Sequence, residues 1–387
     1  MIFVRVIFAF LLVVGLLVVG GYHAAQAAYD RPYIGETIEY KAHDEDTFVH
    51  LARDYNLGFV EMRAANPTVD PWLPGEGTKV ILPTRHILPD VKQDGIVINL
   101  PEMRLYVFNG DAVPTTFPIG VGREGLTTPT GTTRIVRKQE GPTWRPTPRM
   151  LREDPSLKPA YPPGPDNPMG THAMYLGWPQ YAIHGTNKPF GIGRRVSSGC
   201  IRMYPENIKQ LFDMISVGTK VTVVNQPIKL AWIDDRLYLE AHPELEQAIH
   251  MEEYGQVESP KLSEEDLKRI TKAAGAFEDK LRWPAIRMAV KERKGYPVEI
   301  ARRPGSYDDA NANANAAKPD GFAPDADELK RPDKKVDPKI DAIKRALTEQ
   351  DHGDVPQLAN SEVKDLPVSD NQDQSPAAAP HKIRYNP

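Results

Sequence analysis

Tyr181-Ala182-Ile183-His184-Gly185-Thr186-Asn187 and, after a short gap, Ser197-Ser198-Gly199-Cys200-Ile201-Arg202 are the two runs on which the reading of this 387-residue chain turns. Tyr181 to Ile183 is short, apolar and bounded by turn formers, so it reads as a strand delivering His184. Pro205 to Ile215 reads as a helix, with Glu206 in its first turn. His184 and Cys200 lie sixteen positions apart, too far to share a helix turn. They meet only if Lys188-Pro189-Phe190-Gly191-Ile192-Gly193 folds as a loop between two secondary elements, which its glycines and proline permit.

Working outward, the surrounding texture is β. Ile96 to Leu100 and Arg104 to Phe108 are strands bracketing Pro101-Glu102, and Asn109-Gly110 is a strong hairpin signal. Thr115 to Val121, Thr132 to Val136, Ala173 to Leu176 and Lys220 to Val224 continue the pattern, which predicts a mainly β domain over residues 94–226. Gly120-x-Gly122-x-x-Gly125 satisfies a dinucleotide fingerprint on paper. Thr127-Thr128-Pro129-Thr130-Gly131 follows it, however, and no helix is there to hold a pyrophosphate. Residues 140–170 are rich in proline and glycine, and a loop this long inside a compact domain is usually functional.

Cys200 is the only cysteine. Met1 to Ala28 has the layout of an export signal: Arg5 as the sole charge, an apolar run from Val6 to Gly20, and Ala25-Gln26-Ala27 as a cleavage site. The run is shorter than the ~20 residues of a membrane span, so residues 1–27 are expected to be removed and the mature chain to be exported with no stable membrane span. Structural cysteines of exported proteins come in pairs, so a lone thiol points to a thiolate kept for chemistry, against the plainer reading of a small buried hydrophobe. The formal net charge of −4 gives no case for nucleic acid or anionic membranes.

Before the β domain, residues 38–83 read as strand, helix, helix, strand, with Asn66-Pro67 ending the second helix. After it, residues 227–302 offer a hairpin about Asp234-Asp235, a helix capped at Ser263 and another from Pro284 to Lys294. From Arg303 to Pro387 the composition is Asn-Ala repeats, prolines and charges, which predicts a disordered tail.

A thiolate is the attacking form of cysteine, and a nearby histidine can take its proton. Gly199 lets the backbone approach a substrate carbonyl and leaves the Cys200 amide as an oxyanion donor. His172, His184 and Cys200 lack zinc-ligand spacing, so no metal and no other cofactor is expected.

On these residues the 94–226 region resembles the catalytic domain of the L,D-transpeptidases, the YkuD-type peptidoglycan enzymes, whose motif is His-Gly, a gap, then Ser/Thr-His-Gly-Cys. Thr128-Pro129-Thr130-Gly131 and the loop from Pro162 to Gly170 also match, the latter in the manner of the Gram-negative periplasmic branch. The resemblance implies a YkuD-like β-sandwich and a two-step acyl transfer. Cys200 attacks the L,D bond of a donor tetrapeptide stem, His184 protonates the departing D-alanine, and an amine resolves the thioester. It also implies that the Gly185 carbonyl orients the imidazole. Ser197, Ser198, Gly199 and Arg202 become candidate oxyanion or substrate-binding residues. Ser198 stands where the family often has a second histidine, and Arg202 where it often has asparagine. Arg202 suits a stem-peptide carboxylate or, equally, a structural salt bridge.

Residues 38–83 resemble a LysM module, in Asp46-Thr47-Phe48, Leu51-Ala52, Tyr55, Asn66-Pro67 and Gly77 before Val80-Ile81-Leu82-Pro83. That implies binding to glycan strands beside the stem peptides. The acceptor stays open among a second stem, an envelope protein's lysine, and water, the last making an L,D-carboxypeptidase. A papain-like peptidase usually places cysteine before histidine, the reverse of this order. A non-catalytic peptidoglycan-binding protein is the remaining alternative.

Overall fold

The computed structural model describes residues 29–257 and 262–304. The expected export signal and the expected tail, beyond residue 304, lie outside the described residues. Among the described residues no helix is long and apolar enough to cross a membrane.

The chain begins with β1 (Tyr33–Ile34), β2 (Thr37–Lys41), α1 (Phe48–Asp54), α2 (Phe59–Ala65), β3 (Lys79–Pro83) and β4 (His86–Ile87). β2 and β3 pair antiparallel, with Thr37 opposite Pro83 and Lys41 opposite Lys79. The helices and the connection between them bury Phe48, Leu51, Leu57 and Met62 against Val80 and Leu82 of that ribbon. α1 starts where Thr47 Oγ1 accepts the His50 amide at 3.2 Å. Asn66 ends α2 and ties it to β3: its Nδ2 donates to the carbonyls of Met62 (3.0 Å) and Ile81 (2.8 Å), while Oδ1 accepts the Ile81 N–H at 2.7 Å.

Next come β5 (Gly95–Asn99), β6 (Arg104–Phe108), β7 (Thr115–Pro118), β8 (Val121–Gly122), β9 (Gly131–Glu140), α3 (Pro148–Glu153), β10 (His172–Leu176), β11 (Ala182–His184), β12 (Arg195–Ser197), β13 (Ile201–Arg202), α4 (Pro205–Met214) and β14 (Lys220–Val224). Eight strands form one mixed sheet in the order β13-β11-β10-β9-β14-β5-β6-β7, and β8 pairs separately with β12. The fold is therefore mainly β, with the expected sandwich drawn as one continuous sheet. The physical reason is the length of β9. Gly131 to Arg134 pair with β14 and Ile135 to Glu140 with β10, so one strand hands the sheet from one half to the other. The main core gathers Ile96, Ile98, Leu105, Phe117, Met174, Ile183, Ile201 and, from α4, Ile208 and Leu211.

The remainder is β15 (Ile228–Ile233), β16 (Arg236–Ala241), α5 (Ala248–Tyr254), α6 (Glu264–Ala274), α7 (Trp283–Glu292) and β17 (Val298–Arg302). β15 and β16 turn at Asp234, which takes a left-handed φ of 52°. β17 adds a third strand, and α6 and α7 bury Ile270, Ile286 and Val290 against Leu237, Leu239 and Ile300.

Two features fix these parts together. Gly58, just ahead of α2, lies against Gly193 in the loop between His184 and Cys200. A Cβ on Gly193 would sit 2.3 Å from Gly58 Cα, and Gly193 has φ +74°, so both the space and the backbone demand glycine. Here the Phe59 amide donates to Ile192 O (3.3 Å) and the Val60 amide to Gly193 O (3.1 Å). Arg53 adds a fork onto Glu206 of α4, at 2.8 and 2.9 Å.

The second feature is a buried charge cluster. Glu61 of α2 takes Arg104 of β6 at 2.7 Å. Lys229 of β15 sits 2.9 Å from Glu102 and 2.7 Å from Glu240 of β16, and it donates to the Ile87 carbonyl at 2.5 Å. His242 contacts Glu240 at 2.6 Å, and Tyr106 donates to Glu102. Burial alone would raise the Glu102 carboxyl, but Lys229, His86 and His242 outweigh it and hold the group well below the usual range.

Candidate active site

β11 and β13 run parallel, with Ile183 opposite Ile201 and His184 opposite Arg202. Both isoleucines point into the main core. Strand alternation therefore puts His184 and Arg202 on the opposite face, together with Cys200 immediately before β13. The turn into the cysteine is set by its own side chains. Ser197 Oγ donates to the Cys200 carbonyl at 2.5 Å and accepts the Gly199 N–H at 3.1 Å. Gly199 has φ +104°, and a Cβ there would meet Tyr181 Cε1 at 2.8 Å. Thr128 Oγ1 donates to the Gly199 carbonyl at 2.9 Å and accepts the Gly122 amide at 3.1 Å. Ser197 is 1% exposed, and its hydroxyl is committed to the backbone around Cys200.

Cys200 Sγ donates to the Gln180 carbonyl at 3.4 Å, and Gln180 takes a left-handed φ of 70° to aim that oxygen. His184 Nδ1 pairs with the Gly185 carbonyl at 2.6 Å, which makes Nδ1 the protonated nitrogen and leaves Nε2 with a free lone pair. The thiol keeps the Gln180 carbonyl rather than the imidazole as its partner here. Catalytic hydrogen bonds commonly tighten only once substrate is bound.

Burial, and then the Arg202 guanidinium, push the His184 pKa from 6.5 to about 4. Burial also pushes the Cys200 thiol up, against the Ala182 amide and Arg202. The resting pair is thus a neutral thiol beside a neutral imidazole. Among the described residues no carboxylate pairs with Arg202, and its Nε is buried without a hydrogen-bond partner. The salt-bridge reading of Arg202 falls with that. What stands beside the nucleophile is an uncompensated positive charge.

A pH prediction follows. The unfolded chain binds a proton at His184 that the folded chain refuses between pH 6.5 and about 4, so this residue lowers stability as pH falls through that window. The contribution is about 3 kcal/mol on the linkage scale. An NMR titration of the imidazole is expected to place the wild-type midpoint near 4 and to move it upward in Arg202→Met. An unchanged midpoint would remove Arg202 as a cause.

The segment between β9 and β10 closes over this site. Asn167, 1% exposed, organises it: Nδ2 donates to the carbonyls of Pro142 (2.6 Å), Tyr161 (3.1 Å) and Pro162 (3.1 Å), and Oδ1 accepts the Met169 amide at 2.8 Å. Trp144 stacks obliquely on Tyr161 at 5.3 Å. Trp144 and Cys200 both pack against the small cluster of Met169, Ala173 and Ala182. Trp178 packs instead on the main core. α3 lies within the 140–170 stretch that reads as a loop, although Thr147-Pro148 is an N-cap followed by proline. From α3, Arg149 donates to Ser198 Oγ at 3.2 Å.

His172 lies away from the pair, its ring 4.8 Å from that of Phe212. His86, Glu102 and Glu240 place ligand-type atoms within 4.8 Å of one another. Lys229 already supplies the positive charge between the two carboxylates, so that group fits a metal poorly.

A family model described as the L,D-transpeptidase catalytic domain (YkuD) matches residues 93–223. The chain is 45% identical over 216 residues to "Probable L,D-transpeptidase ErfK/SrfK" of Escherichia coli K12, covering 54% of this chain and 69% of the relative. It is 40% identical over 258 residues to "Probable L,D-transpeptidase YbiS" of the same strain, covering 65% and 82%. Among solved structures it is similar to the catalytic domain of an E. faecium L,D-transpeptidase determined by NMR, with 24% identity and a TM-score of 0.28, over 35% of this chain and 100% of that one.

Proposed function

This chain belongs to the L,D-transpeptidase family, and from that premise we propose that Cys200 and His184 carry out its acyl transfer. The enzyme is a peptidoglycan L,D-transpeptidase acting on stem peptides. The observation that carries the residue assignment is the parallel register of β11 and β13, which sets base, nucleophile and unpaired guanidinium on one face.

In the proposed reaction the thiol proton passes to His184 Nε2 as Sγ attacks the carbonyl of the L,D bond before the terminal D-alanine. The C–N bond breaks, Nε2 returns the proton to the departing amine, and a thioester remains. An acceptor amine then adds to that carbonyl, His184 takes its proton, and the C–S bond breaks to regenerate the thiol. The Gly185 carbonyl holds the tautomer through both steps. The Cys200 amide takes the oxyanion, with Gly199 clearing the approach. Arg202 binds a carboxylate of the donor.

The acceptor is read as an amine, from a second stem or from an envelope protein. Residues 38–83 are read as a LysM-like glycan grip, on their strand-helix-helix-strand order, and the compartment as the periplasm. The test is intact-protein mass after incubation with a disaccharide-tetrapeptide. A thioester adduct with release of D-alanine is expected. Well-folded protein giving neither would defeat the assignment. Added amines then separate transfer from hydrolysis.

A further inference from the structure

α3 brings a basic side chain to the nucleophile's edge in an arrangement that helix stability does not explain. Arg149 Nη1 is forked onto Glu153 at 2.5 and 2.6 Å, and its other amine donates to Ser198 Oγ at 3.2 Å, two residues before Cys200. An Arg followed four residues later by Glu is the less favourable order for an ion pair on a helix. Glu153 also closes the last turn, where the helix dipole disfavours an anion. The pair therefore supports the helix less than the reverse order would, and what it secures is a fixed guanidinium. Arg123 approaches the same Glu153 at 3.4 Å, so two cations share one carboxylate and a net positive charge remains at the rim. Arg149 stays a third exposed and keeps donors free for a ligand. Ser198 Oγ accepts from Arg149, which leaves its own O–H to donate outward. Trp144, from the same segment, supplies an apolar wall over the cluster that Cys200 packs on.

We propose that Arg149, positioned by Glu153 and acting with Ser198, is a specificity residue that selects donor stems carrying a free carboxylate over their amidated counterparts. The proposal rests on the acyl-transfer reading above and adds to it a second anion contact besides Arg202. The contact is bidentate-capable and charge-assisted, worth about 1.5–3 kcal/mol, or roughly a ten- to hundredfold preference.

The test compares two synthetic tetrapeptide donors, one with its side-chain and α-carboxyl groups free along the stem and one with those groups amidated. D-Alanine release is followed for wild type, Arg149→Gln and Glu153→Gln. Wild type is expected to prefer the carboxylate donor. Arg149→Gln is expected to raise its KM about ten- to hundredfold while leaving the amidated donor within about twofold. Glu153→Gln, which frees the guanidinium without removing it, is expected to move the same ratio in the same direction by less. An active wild type that ignores amidation, or an Arg149→Gln enzyme that loses both donors alike, overturns this inference alone. A wild type inert toward both donors overturns the acyl-transfer reading and this inference with it.

Discussion

Cys200→Ala protein is expected to form no adduct with a donor tetrapeptide and to release D-alanine on the order of 10⁴-fold more slowly than wild type, or not measurably. No other thiol exists in the chain to substitute for it. His184→Ala should come close to the same loss, because the thiol at rest is neutral and has no other base on its face of the strand pair. The double variant should be no worse than Cys200→Ala, since the two side chains act as one unit and their effects do not add. The measurement is single-turnover acylation by mass, with thermal unfolding alongside. If Cys200→Ala still releases D-alanine, the nucleophile lies elsewhere. If His184→Ala acylates within tenfold of wild type, another group takes the thiol proton. Folding should be little affected by Cys200→Ala, because the side chain is small and only partly buried.

The second large effect concerns stability. Lys229→Met leaves Glu102 and Glu240 facing each other, both buried, with the lysine charge between them gone and only His86 and His242 beside them. Breaking a buried pair in this way costs about 3–5 kcal/mol, because one charge remains without compensation. The loss should shrink in a Lys229→Met, Glu102→Gln, Glu240→Gln triple variant, which removes both carboxylate charges too. The sign with pH follows from the depressed carboxyls. Glu102 and Glu240 contribute stability that is present above the ordinary carboxylate range and lost as acid protonates them, with Glu102 the last to go. In Lys229→Met the dependence should weaken or reverse, as protonation would then relieve repulsion. Chemical denaturation across pH settles it, and an unfolding free energy within 1 kcal/mol of wild type would show the cluster to be inert.

The sheet was legible where one strand's own pattern carries the information. Lys220 to Val224 and Arg104 to Phe108 are strands at those bounds, and Asn109-Gly110 lies in the connection that returns β6 to β7. The separation of His184 and Cys200 demanded a loop between two elements, and β11 and β13 are those elements. Glu102 was not legible. Beside Pro101 it reads as a solvated turn, yet it is 3% exposed, and its reason for burial, Lys229, stands far along the chain. Charge burial is decided by partners, and a local reading does not see them. The part Ser197 plays in the turn is invisible for a related reason: a serine's spacing from Cys200 does not show that its hydroxyl closes the turn around that residue. β17 and α5 were missed because Val298 to Arg302 and Ala248 to Tyr254 are short and weakly periodic, and pairing with β16 and packing on α2 define them.

The seam at Gly58 and Gly193 gives the molecule the character of a caliper. One jaw is the small N-terminal unit and the other is the thiol, and two main-chain hydrogen bonds across paired glycines leave no swivel between them. If the first jaw holds a sugar strand, as proposed, the distance to the reacting stem is set by the fold rather than searched for by a tether. A flexible linker would trade reach against effective concentration gradually. A rigid gap instead accepts stems that emerge at the right stride along the strand and passes over those that do not.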